Sequence, residues 1–530
     1  MSSNKTVRDA TLFWTPPAAR FLLAIGAWLG FLIWVRKFTL PDEGRYAGVA
    51  WDMLRSGSHA VPLLNGMPYF HKPPLYYWLT ELSFSMFGVY EWSARLPSWL
   101  AAWAAAAALY LFVRRYRDAG SATLAVLVLA TMPFFYGGAQ FANLDMMVAG
   151  MITLCILAGA DTVLRAERGQ SYRWMSLATA VLAALAVLAK GLIGLVLPGA
   201  TLFLWLLLAR RWRGMAVLLW PPALLAFIVV VVPGFWLMQQ RFEGFFDYFF
   251  VYQHFQRFAQ SGFNNVQPFW FYLPVIAGLV LPWSLWGGGI LRKVFWADST
   301  SADLRRLAAV WLVVVVVFFS VPNSKLIGYV LPALPPLAFL LSEVMAGALR
   351  HDPQGMRRWV WVSLAAGAGI CVVAVVAAAF HARVGIVPVA RILQRTMQPG
   401  DTLISLRSYP FDLPLYARTE QPMWVVNDWD NPDVAIRDNW RKELFDAAKF
   451  NPQLGEQVLV TPAQFQARLC AAPDGRRFWV RGNNDDRARY AVLTGMKLVY
   501  TSSNHTLWRV DTGTEFRRRV CAGTPTDDSQ

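Results

Sequence analysis

The chain has 530 residues, of which 56% are hydrophobic and 15% charged, with 25 Trp, 35 Phe and a mean hydropathy of +0.37. Soluble globular proteins are roughly 45–50% apolar, so a single water-soluble domain is excluded. The net charge of +16 would suggest a nucleic-acid partner in a soluble protein. Here Lys and Arg fall in short connectors between apolar blocks, so the charge reads as membrane orientation and no nucleic-acid partner is expected.

The blocks are roughly 15–22 residues long, the length of a helix that crosses a bilayer. Phe21–Val35, Leu96–Val113, Ala216–Leu237 and Trp359–Phe380 are examples. Lys5, Arg8 and Arg20 flank the first block, which runs on without a clean cleavage site into Arg36-Lys37. It reads as an uncleaved transmembrane helix rather than a signal peptide. With the N-terminus in the cytoplasm, eleven helices follow, and broken or short ones would raise the number to thirteen. The internal connectors carry Arg114, Arg115 and Arg117, then Arg165, Arg168 and Arg173, then Arg210, Arg211 and Arg213, then Arg292, Lys293, Arg305 and Arg306, then Arg350, Arg357 and Arg358. The short outer turns carry only Lys190 and Lys325. This alternation sets the orientation and places the C-terminus outside.

The fold expected is a polytopic α-helical membrane domain over 1–381, with outer loops at 36–91 and 239–267. A periplasmic α/β domain follows over 382–530. The latter holds alternating runs at Asp401–Leu406, Gln457–Val460 and Lys497–Tyr500, and a helical stretch near Ala435–Ala448. Cys155 and Cys371 lie in apolar blocks and read as buried thiols. Cys470 and Cys521 lie in the polar part and could pair in an oxidising compartment.

The first outer loop carries most of the chemistry. After Asp42 and Glu43, apolar residues recur at Tyr46, Val49, Ala50, Met53 and Leu54, one face of a helix. Arg55-Ser56-Gly57 ends it, so a short amphipathic helix is expected on the membrane surface. The plain role for Asp42 is a helix cap, but two adjacent carboxylates and Arg45 are unusual there. Further on, Pro73 and Pro74 can open a second helix, which puts Lys72 at a helix N-terminus, a natural anion site. His71, Lys72, Tyr69 and neighbouring aromatics suit a phosphate and a sugar; the plain alternative is an interfacial aromatic belt with a snorkelling Lys. Glu81, inside the second helix, needs a partner. Asp145, Lys190 and Lys325 lie at outer helix ends, and charges at such depth are usually paired or functional. Their shared face points to one cavity.

The strings DEGRYA at 42–47 and GMPYFHKPPLYYWL at 66–79 resemble those of the GT-C membrane glycosyltransferases related to protein O-mannosyltransferases. Within that group the resemblance is to the bacterial lipid A 4-amino-4-deoxy-L-arabinose transferases. It covers most of the membrane part, including the Leu-Asp at 144–145 and the Lys-Gly at 190–191. The resemblance implies transfer of a sugar from an undecaprenyl-phosphate carrier to a lipid A phosphate at the periplasmic face of the inner membrane, giving resistance to polymyxin and other cationic peptides. It makes Asp42 the key acid and Asp145 the second acidic position, with Glu43 beside them as a further catalytic candidate. The aminoarabinose enzymes carry an acidic residue where this chain has His71, which weakens a metal role there.

A phosphate leaving group needs positive charge around it; Arg45, Lys72, Lys190 and Lys325, with Tyr69, are the donor-phosphate and lipid candidates. A divalent ion is an option, with His71 and His254 as available ligands. The expected partners are the undecaprenyl-linked sugar, lipid A and membrane lipids, and nothing demands more than a monomer. The alternatives are a sister transferase with another sugar or a protein or glycan acceptor, a lipid flippase, and a non-catalytic lipid-binding protein. A flippase would show midplane breaks and inverted repeats, whereas this chain concentrates its polar groups at the outer face.

Overall fold

In a computed structural model, residues 16–256, 265–381 and 385–521 are described. Lys5 and Arg8 lie outside the described residues, as does the side chain of His254. Within hydrocarbon a chain must satisfy its own N–H and C=O groups, and the apolar blocks are accordingly helical. The first is α1 (Ala18–Gly30). The following loop holds α2 (Asp42–Ser56), a two-residue hairpin of β1 (Leu63–Leu64) and β2 (Met67–Pro68), and α3 (Leu75–Phe87). Then come α4 (Glu91–Tyr116), α5 (Ala119–Ala130), α6 (Pro133–Ala139), α7 (Leu144–Glu167), α8 (Arg173–Lys190), α9 (Ile193–Leu208) and α10 (Pro221–Arg241). A π-helix at Asp247–Gln256 leads to α11 (Tyr272–Leu279), α12 (Ala302–Ser320), α13 (Leu334–His351) and α14 (Pro353–His381).

Among the described residues six helices are long and apolar enough to cross a membrane, or eight if each of two bent pairs is one span. The protein is a multi-pass membrane protein. The bent pairs are α5 with α6, at 72°, and Phe269–Leu279 with Trp283–Gly289, at 114°. Pro133 opens α6, and Pro282 precedes the second 3₁₀ segment. Proline lacks the N–H that would continue the ladder, so each block breaks there. The eighth block, expected as one helix, is thus two short segments. The spans divide into centre and rim. α7 is 83% buried over its apolar window, against 11% for α10 and 22% for α14. α10 and α14 expose Leu225, Val229, Val362 and Val373, side chains suited to lipid contact.

After α15 (Val387–Thr396) the chain forms a six-stranded sheet from β3 (Thr402–Leu406), β4 (Trp424–Val426), β5 (Leu459–Val460), β6 (Arg477–Gly482), β7 (Lys497–Thr501) and β8 (Thr506–Asp511), in the order β5-β4-β3-β6-β8-β7. The first four of these in spatial order are parallel, and β8 and β7 add antiparallel. All five residues of β3 are buried, as in a strand covered on both faces. The helical stretch near 435–448 is two helices, Asp433–Ile436 and α16 (Trp440–Ala448). α17 (Pro462–Ala471) and α18 (Thr514–Val520) are joined at the ends by a Cys470–Cys521 disulfide that spans 51 residues. Cys155 and Cys371 are free and buried. Replacing Cys470 and Cys521 by Ser is expected to destabilise this domain by about 2–4 kcal/mol, through the regained freedom of the unfolded chain. The loss should appear as a lower denaturation temperature and earlier proteolysis of the C-terminal part.

The domain rests on the first loop. The small-residue side of α2 is covered by the chain at Phe411–Asp412. A Cβ on Gly48 would lie 2.8 Å from the Phe411 carbonyl oxygen, and one on Gly44 3.3 Å from the Asp412 backbone nitrogen. Two glycines one turn apart therefore admit a backbone where any side chain would hold it off. Asn65 adds a two-way contact, its side-chain amide donating to the Met423 carbonyl and accepting from the Met423 N–H, both at 2.9 Å. One apolar core runs from the helices through this loop into Phe411, Leu413 and Val425.

Candidate active site

α2 begins at Asp42 itself. The cap position belongs to Pro41, and no side-chain cap forms, so Asp42 is not a helix cap. Its side chain is 41% exposed, with Oδ1 2.6 Å from Arg45 Nη2, and it lines a cavity of about 690 Å³.

Glu43 points elsewhere, since neighbours on a helix diverge by about 100°. It is wholly buried. Its oxygens accept from Arg36, from Arg95 Nε at 2.8 Å, and from the N–H groups of Thr39 and Ala142, both at 2.8 Å. Burial pushes this carboxyl up, but Arg95 and Arg36 outweigh it and hold the pKa at about 2. Glu43 thus ties α2 to α4 and to the chain entering α7. With its acceptor positions taken, it supports Asp42 from behind.

Arg45 is held from both sides. Nη2 reaches Asp42, Nη1 reaches Glu443 on α16, and Nε has no partner among the described residues. Burial works against its charge, but the Glu443 carboxylate, with Tyr69, Tyr46 and Asp42, more than restores it. Tyr69 donates to the other Glu443 oxygen at 2.9 Å, and its ring stacks on His71 with centroids 4.7 Å apart. His71 Nε2 lies 4.0 Å from Asp446 Oδ2, which also accepts from the Tyr248 hydroxyl of the π-helix at 3.3 Å.

α3 starts at Leu75, directly after Pro73-Pro74. Lys72, just before it, lines two cavities. One, of about 120 Å³, is shared with His71, Lys190, Gln253, Ser324 and Tyr329. The other, of about 230 Å³, is walled by Phe70, Trp78, Leu188, Phe235 and Phe249. A charged pocket therefore opens at Lys72 onto an apolar slot, a shape suited to a lipid phosphate.

Lys190, at the end of α8, is ion-paired with Asp145 in the first turn of α7, and its Nζ sits 4.3 Å from the Tyr329 ring centre. A Cβ on Gly328 would collide with the Asp145 carboxylate. Lys190 faces the small polar pocket while Asp145 faces the large cavity, so their pair stands between the two. The large cavity also takes in Lys325, whose Nζ donates to the carbonyls of Gln267, at 3.0 Å, and Pro322. It continues along Phe134, Phe271, Leu331 and Val375, an apolar wall partly made by α14.

Glu81 has its partner in His59, Nδ1 to Oε1 at 2.5 Å. No group of three or more His, Cys, Asp or Glu among the described residues could hold a metal ion. His71 has one carboxylate neighbour, and the His254 side chain lies outside the described residues. The described residues do not by themselves make a divalent-ion cage. The sequence reading missed Glu443, Asp446, Tyr248 and Tyr329. Glu443 lies 398 residues from Arg45 and Asp446 lies 198 residues from Tyr248, where no local pattern could reveal them. The π-helix carrying Tyr248 has no sequence signature, although such helices are frequent at functional sites.

The family model for dolichyl-phosphate-mannose-protein mannosyltransferase matches residues 71–236. Curated undecaprenyl phosphate-α-4-amino-4-deoxy-L-arabinose arabinosyl transferases are similar in sequence. The Enterobacter sp. (strain 638) enzyme is 31% identical over 340 residues, 63% of this chain and 60% of that one. That of Pectobacterium carotovorum is 31% identical over 368 residues, 68% of this chain and 63% of that one. The chain thus spans about three-fifths of the length of these relatives. The crystal structure of ArnT from Cupriavidus metallidurans bound to undecaprenyl phosphate superposes with a TM-score of 0.78 at 24% identity, covering 94% of this chain and 98% of that one. The Archaeoglobus fulgidus oligosaccharyltransferase AglB, in complex with an inhibitory peptide and a dolichol-phosphate, gives 0.50 at 10% identity over 93% of this chain and 74% of that one. The chain therefore shares the fold of these structures, a helical membrane part followed by an α/β domain, and its membrane part is similar in sequence to the aminoarabinose transferases and to the dolichyl-phosphate-mannose-protein mannosyltransferases.

Proposed function

We propose that the protein transfers 4-amino-4-deoxy-L-arabinose from undecaprenyl phosphate to a lipid A phosphate at the periplasmic face of a bacterial inner membrane, and so confers resistance to polymyxin and related cationic peptides. One observation carries this reading: a charged pocket that shares Lys72 with an apolar slot lies on one side of the Lys190–Asp145 pair, and a large cavity with polar groups and an apolar wall lies on the other. Two lipid-borne substrates must meet at their head groups, and this arrangement suits that need. The names of the homologues supply the sugar and the carrier. The sixteen Lys and Arg of the internal connectors, against two in the short outer turns, together with the disulfide, support an outward-facing C-terminal domain.

In the reaction, a lipid A phosphate oxygen forms the new bond to the anomeric carbon as the bond from that carbon to the carrier phosphate oxygen breaks. The electron pair leaves with undecaprenyl phosphate, which gains one negative charge. Lys72 and Lys190 are placed to counter it, and preorganised charge of this kind acts most strongly where water is excluded. The nucleophile is already an anion and needs no general base. Asp42, in the large cavity, binds the ammonium of the amino sugar.

The test is mass spectrometry of lipid A from a strain lacking its own aminoarabinose transferase, complemented with this chain. Addition of one aminoarabinose increment, with a raised polymyxin tolerance, is expected. Unmodified lipid A despite folded protein in the membrane would show that the sugar or the acceptor is different.

A further inference from the structure

We propose that Glu443, brought in by the C-terminal domain, is a positioning residue for the transfer: acting through Arg45, it sets the orientation of Asp42 in the large cavity. The inference rests on the transferase reading for its kinetic consequence, though its geometry does not.

A guanidinium is a planar fork that matches a carboxylate with two parallel N–H bonds. Arg45 sits three residues after Asp42 on the same helix. Left to itself it could pair with both Asp42 oxygens and draw them from the cavity. Glu443 holds Nη1, and of the opposite edge only Nη2 reaches Asp42, at Oδ1, while Nε is left without a partner among the described residues, so the two-bond fork is not made. Asp42 Oδ2 keeps no hydrogen-bond partner among the described residues, and its side chain remains the more exposed member of the pair, 41% against 18% for Arg45. The carboxylate is thereby held at one oxygen and offered at the other.

Glu443 is itself held firmly. It lies in the first turn of α16, where the helix dipole favours an anion, and that helix is capped by Asn439 accepting from the Arg441 N–H. Its second oxygen takes the Tyr69 hydroxyl. Asp446, three residues on, docks the same helix to Tyr248 and is flanked by Lys442 and Lys449 at 3.3 and 2.8 Å. The register of α16 therefore has its own anchor, and removing the Glu443 charge does not undock the helix.

The experiment compares the full-length protein with Glu443→Gln, which keeps side-chain volume and an acceptor for Tyr69 but loses the charge that restrains Arg45. Glu443→Asp, which restores the charge on a shorter stem, is the control. Two readouts are taken. The first is the rate at which a water-soluble carbodiimide with glycine ethyl ester labels Asp42, read by peptide mass spectrometry. With Arg45 released onto Asp42, Glu443→Gln is expected to slow labelling by about threefold or more, and Glu443→Asp to recover part of it. The second is turnover with the undecaprenyl-linked donor. kcat should fall about 10–100-fold for Glu443→Gln with KM changed less than about threefold, and Arg45→Gln should absorb that loss so that the double variant is no worse than Arg45→Gln alone. An unchanged labelling rate overturns the proposal, as do kinetic losses that multiply independently. Slowed labelling in a protein that moves no aminoarabinose would leave the positioning role standing and overturn the substrate assignment instead.

Discussion

Replacing Asp42 by Asn is expected to lower aminoarabinose transfer by about 10²–10³-fold, the usual loss when one preorganised charged or polar group is removed from an active site. Asn has nearly the same shape and can still accept from Arg45 Nη2, so α2 and its contacts should survive. It cannot hold an ammonium with a full negative charge. The loss should fall on sugar-donor use, and undecaprenyl phosphate without its sugar should bind as in the wild type, because Lys72 and Lys190 lie in the other cavity. The measurement is single-turnover transfer with purified protein, alongside carrier binding. An Asp42→Asn protein with full turnover would remove Asp42 from the mechanism. Equal losses in turnover and carrier binding would point to a collapsed site.

Glu43 is expected to behave quite differently, although it is the adjacent carboxylate. Glu43→Ala leaves the guanidinium groups of Arg36 and Arg95 buried without their anion. Breaking one member of a buried ion-paired group costs about 3–5 kcal/mol. The expected result is poor recovery of folded protein and a large fall in denaturation temperature, whatever the substrate. The same group predicts an acid limit. Its folded pKa of about 2 lies below the ordinary value of 4.5. A depressed carboxyl stabilises fully above its unfolded pKa and loses that contribution as pH falls toward its folded one. Stability should therefore drop between about pH 4.5 and 2, by about 3 kcal/mol from this residue, taking 1.36 kcal/mol per unit. Denaturation curves at pH 6, 4 and 3 would check it. Glu43→Gln should flatten that slope as well as lower stability at neutral pH. A Glu43→Ala protein as stable as wild type would show that the arginines find other partners.

These two residues show where local sequence stops being informative. Asp42 and Glu43 carry the same functional group and both read as candidates for chemistry. Helix geometry sends one toward a cavity and the other into a buried cage whose arginines come from positions 36 and 95. Asp42 is not a cap because Pro41 takes that position, a matter of where one helix starts. Lys190 and Asp145 read as charges at helix ends that are usually paired or functional; that each is the other's partner depends on α7 and α8 lying side by side.

Membrane class, the positions of the apolar blocks, the helix at 42–56 and the start of another after Pro73-Pro74 are legible in the chain alone. These follow from composition, from hydrophobic spacing and from the few backbone forms that Pro and Gly permit, all of which act within a few residues. Long-range packing sets the rest: α2 is roofed by the C-terminal domain through Gly44 and Gly48, Glu443 and Asp446 stand at the site, and cavities lie on both sides of one ion pair. Contacts of this kind join residues far apart in the chain. Their energy comes from burial and from charges paired across elements, neither of which leaves a periodic trace in either partner's own segment.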